Sequence, residues 1–195
     1  FKNVTEGIMT VAYSLRAGNT STRVDEARVM EAGIPAAVVA RSTTIVAVLI
    51  RRISSASLQT IVAAGFVQGV TPGDLRSVPT VPLEFPVDKN GNPREMEVTV
   101  ELASDDFDPP KQRKAMLLRP DGDSGTKLFY VVPKRPGCLN LALTLRDKTR
   151  ALATLPLETI AFANAAAMPP VFQSVTSVWL DVSRAGAGPP NPPDP

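Results

Sequence analysis

Two stretches of strict alternation between apolar and polar residues constrain the fold of this chain more than any other feature. Residues 95–102 and residues 139–146 both place an apolar side chain at every second position. These positions are Met96, Val98, Val100 and Leu102 in the first stretch, and Leu139, Leu141, Leu143 and Leu145 in the second. Because successive side chains of a β-strand point to opposite faces, each stretch predicts a strand with one face in a core and one in water.

Weaker strand patterns surround these two and predict an all-β chain. We predict further strands at residues 28–31, 36–40, 44–51, 81–87, 127–132, 152–162 and 171–182, and a short one ending at Leu118. The apolar, β-branched run 44–51 is typical of a central strand. The prolines of 81–87 belong at a sheet edge, because proline has no N–H to donate to a neighbouring strand. Residues 55–64 predict one or two helical turns.

Turn chemistry between the strands indicates the architecture. Asn90 and Gly91 form a pair that accepts positive φ, and the clusters 120–125 and 135–137 are further turns. Strands about 8–12 residues apart with such turns between them predict a sandwich or a barrel. We divide the chain into an N-terminal strand or arm at 1–23, a β-sandwich domain at 24–183 and a Pro-rich tail or linker at 184–195.

The absence of histidine is the strongest argument about function. Histidine is the usual general base near neutral pH and the commonest metal ligand, so Ser-His-Asp catalysis, Cys-His catalysis and His-ligated zinc are excluded within this chain. The single cysteine, Cys138, cannot form an internal disulfide and is expected to be a small apolar residue at a strand start. We therefore predict no enzyme activity, no catalytic residues and no cofactor.

Residues 122–125 read Gly-Asp-Ser-Gly, the letters that surround the nucleophile of trypsin-like proteases. A serine nucleophile needs an adjacent base, and the sequence offers Ser124 no histidine. Glycine, aspartate and serine are also the residues that form turns. The motif therefore predicts a turn rather than an active site.

Acidic residues supply the candidate metal site. The spacing of Asp88, Asn90 and Asn92 is that of a calcium loop, but the glycine and glutamate that an EF-hand requires do not stand at their positions. A different calcium site would need several acidic loops to meet at one end of the sandwich. Its ligands would be Asp88, Asp105, Asp106 and Asp108. The alternative is that these acidic turns are simply solvated.

Charge is distributed unevenly along the chain, although the net charge is only +2. Residues 84–108 hold eight acidic and two basic residues, a net −6, whereas residues 111–150 hold ten basic and three acidic residues, a net +7. The pattern favours opposite charges paired between neighbouring strands, with a docking surface for charged partners as the alternative. Few aromatic residues lie among the basic ones, so no nucleic acid is expected as a partner.

Apolar runs such as residues 45–50 are far shorter than the roughly 20 residues that span a bilayer, so we predict no membrane span. The start of the sequence shows no basic-then-apolar signal pattern. We expect a cytoplasmic location, and an extracellular one remains open.

The order of strands and turns in residues 96–145 resembles a known class of domain. The segments that carry the resemblance are the acidic stretch 104–110, the turn 119–124 and the strand end 132–137, each joined to an alternating or short strand. They resemble immunoglobulin-like β-sandwich accessory domains of bacterial multidomain signalling and defence proteins, and the similarity covers about residues 24–162. The resemblance implies an immunoglobulin-like antiparallel β-sandwich with extended terminal segments, beside an effector or NTPase module. It implies no catalytic residues.

The sequence thus leads to three hypotheses about function. The first is a non-catalytic protein-interaction or scaffold module, which binds other domains of its own polypeptide or another subunit. The alternative is an extracellular ligand- or calcium-binding sandwich. An enzyme subunit is a third hypothesis only if a partner chain supplies the catalytic groups.

Overall fold

The computed structural model describes residues 23–65, 67 and 69–170, and nearly all of its regular structure is β-strand. Ten strands and one short helix occur in these residues. In chain order they are β1 (Arg23–Gly33), β2 (Ala37–Val39), β3 (Thr44–Arg52), α1 (Leu58–Ala63), β4 (Leu75–Pro86), β5 (Met96–Ala103), β6 (Phe107–Asp108), β7 (Lys111–Leu118), β8 (Lys127–Pro133), β9 (Gly137–Asp147) and β10 (Arg150–Phe162). Short 3₁₀ turns lie at Pro72–Asp74 and Ala165–Ala167.

The strands form two five-stranded sheets. Their orders are β4-β1-β3-β8-β6 in the first sheet and β2-β10-β9-β5-β7 in the second. The neighbours β10, β9 and β5 reproduce the G-F-C order of immunoglobulin domains, so the predicted all-β, immunoglobulin-like sandwich is confirmed. One strand pair departs from the antiparallel prediction, because β2 runs parallel to β10. The chain crosses from the first sheet to the second at residues 34–36, and β2 then continues in the direction of β10.

Both alternating stretches are strands with one buried face, as predicted. The apolar residues of β5 and β9 are almost fully shielded from solvent. They meet the apolar side of the first sheet, including Phe85 and Phe129, in one core cluster. Burial of this apolar surface is the main stabilisation of the sandwich.

Strand β3 is apolar on both faces because both of its faces are covered. Val46, Val48 and Ile50 point into the core between the sheets. Ala47 and Leu49 point outward, where α1 and the residues after it lie over them. The predicted central strand and the predicted helical turns are therefore confirmed. The helix covers the outer face of β3, which is why both faces of that strand are apolar.

A buried ion pair fixes this covering segment to the first sheet. The Glu31 carboxylate on β1 accepts hydrogen bonds from Arg51 Nε at 2.9 Å and Nη2 at 2.8 Å, and from the backbone N–H of Leu58 at the start of α1. Arg51 Nη1 also donates to the carbonyls of residues 52, 53 and 55. This ion pair thus provides an acceptor for the N–H of Leu58, which has no partner within α1. It also holds the connection from β3 to α1.

A second buried charge, Arg28 on β1, holds the loop between β7 and β8. Its guanidinium donates to the carbonyls of Arg119 at 2.9 Å, Pro120 at 2.8 Å and Gly122 at 2.6 Å, and to Glu26 Oε2 at 2.9 Å. It also lies 5.3 Å from the centre of the Phe85 ring. The predicted turn at 120–125 therefore exists, and its carbonyls are gathered around a cation.

The structure confirms β4 as an edge strand, and its prolines leave few donors for another chain to pair with. The predicted strand 28–31 is part of a much longer strand, β1, and 36–40 contains β2. The predicted strand 171–182, the tail 184–195 and residues 1–22 lie outside the described residues. The division of the chain into arm, domain and tail stays a prediction.

Candidate functional site

The four aspartates proposed as calcium ligands do not come together. Asp88 lies in the turn before β5, whereas Asp105, Asp106 and Asp108 follow its end. The eight residues of β5 separate the two groups by roughly 26 Å at about 3.3 Å per residue. Among the described residues, no three acidic, cysteine or histidine side chains are grouped to hold a metal ion. The hypothesis that these loops meet is therefore wrong.

Two of these carboxylates already have structural partners. Asp88 accepts from the backbone N–H groups of Asn92 at 2.9 Å and Asn90 at 2.8 Å, and these bonds lower its pKa. Asp106 accepts from the backbone N–H of Asn140 at 3.0 Å and from Arg135 at 2.8 Å, which lower its pKa in that order. Both side chains therefore stabilise turns as ionised carboxylates.

Glu101 is buried on the outer side of β5, although the alternation predicted it in water. The face prediction for β5 is correct, but basic side chains of the neighbouring strands cover this carboxylate. Arg113 Nε lies 2.6 Å from it, Lys111 Nζ 3.1 Å and Arg146 Nη2 3.7 Å. Together with pairs such as Asp106 with Arg135, this cluster supports the interpretation that the uneven charges pair between strands.

The Glu101 cluster predicts a specific acid dependence of stability. Burial raises the pKa of Glu101, but Arg113 and Lys111 outweigh it, so the pKa lies below its ordinary value of 4.5. The stabilisation is therefore complete above that ordinary value and is lost as the pH falls through the lowered one. We expect the difference in unfolding free energy between the wild type and Glu101→Gln to be largest at neutral pH and to shrink below 4.5, in urea titrations across this range.

Glu97→Gln is the matched control for this prediction. Glu97 is exposed on the same strand and makes no ion pair in the described part of the chain. Its substitution should give the same small difference at every pH. A Glu101→Gln difference that stayed constant with pH would contradict the assignment of the stabilisation to the ionised carboxylate.

Ser124 of the Gly-Asp-Ser-Gly motif is a structural residue. It is buried, its Oγ accepts from the backbone N–H of Ile50 at 2.9 Å, and its own N–H donates to the Ile50 carbonyl at 2.8 Å. The neighbouring Asp123 accepts from the N–H of Arg52 at 2.7 Å. The motif therefore docks the β7–β8 loop onto the end of β3.

Ser124→Ala is expected to destabilise the domain by about 1–3 kcal/mol, because the buried N–H of Ile50 loses its acceptor. Urea denaturation measures this loss, and Ser54→Ala at an exposed position should change stability by no more than about 0.5 kcal/mol. Hydrolase turnover that Ser124→Ala abolished would contradict the structural role.

No described helix lies over the outer side of the second sheet. We call it the open face. Its middle is lined by small or hydroxyl-bearing side chains at the outward positions of β5, β9 and β10, with basic residues beside them on β7. The central residues are Ala103, Ala142, Thr144, Thr154 and Pro156, and the basic ones are Lys111 and Arg113. The small side chains make the middle of this face low, and longer side chains such as Arg113 and Arg146 lie beside it.

Apolar residues occupy two opposite corners of the open face. Leu117 at the end of β7 is 50% exposed, and Ile160 near the end of β10 is 43% exposed. Cys138 pairs with Ile160 across the strands, lies at the start of β9 as predicted, and is exposed. The alternation in the sequence predicts that these side chains point outward. It does not predict whether another part of the chain covers them.

Arg28, Glu31 and Arg51 were not predicted from the sequence as important residues. The available signal was a charged residue inside an apolar stretch, as in Met30-Glu31-Ala32. Such a residue is almost never buried unless it is paired, so its position alone predicts a partner without naming it.

Comparisons with known proteins add only distant structural matches. No protein-family model matches the sequence, and no curated protein matches it. The crystal structure of a CARDB domain from Pyrococcus furiosus, in complex with di-metal ions, is 7% identical, covers 73% of this chain and 96% of that domain, and has a TM-score of 0.40. The solution NMR structure of a CARDB domain from the same organism is 8% identical, with coverages of 72% and 100% and a TM-score of 0.42.

Among the described residues, no helix has the length and apolar character needed to cross a membrane.

Proposed function

We propose that this domain is a non-catalytic protein-interaction module that docks through the open face. The observation that carries the proposal is an asymmetry between the two sheets. On the outer side of the first sheet, α1 and the residues after it cover β3, whereas no described helix lies over the outer side of the second sheet. An uncovered sheet surface with apolar corners suits a protein partner.

The chemistry of the chain supports a binding role over a catalytic one. No histidine is available as a base. In the Gly-Asp-Ser-Gly sequence, which matches the motif around a protease nucleophile, the serine is a buried hydrogen-bond acceptor. By the resemblance of residues 24–162, we expect the partner to be an effector or NTPase module, on the same polypeptide or on another subunit of a bacterial signalling or defence assembly.

Site-specific photo-crosslinking in the cells that produce the protein tests this proposal. A benzophenone amino acid at Thr154, on the β10 side of the open face, should crosslink to one defined protein or neighbouring domain. The same group at Gln59, exposed on α1 on the opposite side of the molecule, should not. Thr144→Arg should remove the Thr154 crosslink while leaving the melting temperature unchanged.

Two results would contradict the proposal. One is a Gln59 product equal to the Thr154 product, which would show that the open face is not selective. The other is the absence of any Thr154 product from a folded protein that still co-purifies with its partner.

A further inference from the structure

A cleft of about 380 Å³ lies at one side of the sandwich, between β10 and the start of β4. Its apolar wall is formed by side chains of the core between the sheets, namely Ile34, Leu155 and Leu157. Two charged residues that line it, Asp74 and Arg76, already bind backbone groups of the domain. The cleft therefore offers an apolar wall, and these two charges are occupied by structural contacts.

The edge of β10 beside this cleft presents backbone hydrogen-bonding groups. The N–H of Ile160 donates to the Ala36 carbonyl at 3.0 Å, away from β9, so even-numbered residues from 154 to 160 direct their backbone groups to that edge. Strand β2 pairs only with residues 160–162. Thr154 and Glu158 therefore each direct an N–H and a C=O, and Pro156 its C=O, to an edge that no strand of the described residues covers.

A strand added to this edge would place alternate side chains on two different surfaces. Residues opposite Leu155 and Leu157 would point to the core side and enter the cleft. In such non-hydrogen-bonded antiparallel pairs the Cα atoms are only about 4.5 Å apart, so these side chains would touch the two leucines. Residues opposite Thr154 and Glu158 would point to the side of the open face. Apolar side chains therefore suit the first set and polar ones the second.

Glu158 supplies a charge that can select among such strands. It is exposed, and it makes no ion pair within the described part of the chain. Its cross-strand neighbour on β9 is the neutral Asn140. A lysine or arginine directly opposite Glu158 on an added strand would complete a cross-strand ion pair, whereas an acidic residue there would be repelled.

We propose that the edge of β10 at residues 154–158, together with the cleft, binds an extended peptide of a partner protein as an additional antiparallel strand. Apolar residues of the peptide enter the cleft beside Leu155 and Leu157, and they alternate with polar residues that include a lysine or arginine opposite Glu158. Antiparallel pairing is expected because it is more stable per residue than parallel pairing. The backbone bonds give affinity, and the cleft and Glu158 give selectivity. This site goes beyond the open face, and its test does not depend on what docks there.

A synthetic peptide of sequence Lys-Val-Thr-Leu-Thr-Val-Thr tests this pairing on the full chain. In the proposed register its lysine lies opposite Glu158 and its leucine opposite Leu155. At a saturating peptide concentration, hydrogen–deuterium exchange at the amides of Thr154 and Glu158 should slow roughly tenfold or more. A peptide of the same composition without the alternation, Val-Leu-Val-Lys-Thr-Thr-Thr, should leave exchange at both amides unchanged.

An exchange of charges tests the contact with Glu158. Glu158→Lys should weaken binding of the lysine peptide about two- to fivefold in fluorescence anisotropy, because it places like charges directly opposite each other. A peptide with glutamate in place of its lysine should bind this variant more tightly than the wild type. Glu97→Lys is the control, since Glu97 is exposed on β5 and β9 separates that strand from β10. It should leave both affinities unchanged.

Several results would overturn the proposal. Protection of the Thr154 and Glu158 amides before any peptide is added would mean that the edge is already occupied in the full chain. Equal binding of the peptide without alternation would show that the cleft selects nothing. A complex in which these two amides stay unprotected would place the peptide elsewhere, and affinities that do not follow the exchange of charges would contradict the pairing with Glu158.

Discussion

Replacing Val100 by aspartate is expected to unfold the domain at room temperature. Val100 is fully buried in the middle of β5, between β7 and β9. An aspartate there has apolar neighbours, so it places an uncompensated charge or a protonated polar group in an apolar environment. The cost is about 4–5 kcal/mol or more, which is comparable to the roughly 5–15 kcal/mol that holds a typical domain folded. Far-UV circular dichroism and urea denaturation measure the loss.

Glu97→Lys is the control for this result. Glu97 is exposed on the outer side of the same strand, so reversal of its charge should change stability by no more than about 0.5 kcal/mol. A severe loss from Glu97→Lys, together with tolerance of Val100→Asp, would mean that the faces of β5 are inverted.

Replacing Arg28 by methionine is expected to destabilise the domain by about 3–5 kcal/mol, because removal of one partner from a buried charged network leaves the others unsatisfied. The carbonyls of Arg119, Pro120 and Gly122 would lose their donor within the domain. Methionine has a similar length and fills much of the same space, so the loss reports hydrogen bonding more than packing. Chemical denaturation gives the size of the loss, and proteolysis at the β7–β8 loop shows where the structure opens.

Arg28→Lys separates charge from geometry. Lysine keeps the positive charge, but its ammonium group cannot reproduce the planar fork of donors that reaches three carbonyls and Glu26. We expect Arg28→Lys to lower the free energy of unfolding, but by less than Arg28→Met does. A methionine variant as stable as the wild type would show that Ser124 and Asp123 hold the loop without the cation.

The alternating strands of the sandwich were predictable from sequence, and the reasons are local. β5 and β9 each bury one face, so their leucine, valine and methionine positions show the period of a strand directly. β3 shows no alternation because α1 covers its second face, and its continuous apolar run still predicted a central strand. The parallel pairing of β2 was not predictable, since it depends on where the chain crosses between the sheets.

The polar parts of the structure were much harder to predict. Arg28 and Glu31 are buried with partners that lie far along the chain, such as Gly122, which is 94 residues after Arg28. The calcium hypothesis was wrong because residues close in sequence can be far apart in space. Asp88 is only 17 residues before Asp105, but strand β5 lies between them and holds them apart. Proximity in sequence and proximity in space differ most where side chains act through long-range contacts.

The cover over the first sheet has a consequence for the stoichiometry of any complex. A module with two usable sides can link neighbours in series, and repeated head-to-tail contacts of that kind grow into filaments unless they close into a ring. Here α1, together with Val67 and Val70, lies over β3 on the outer side of the first sheet. Under the docking that we propose for the open face, each copy would bind one partner there and would end an assembly rather than extend it.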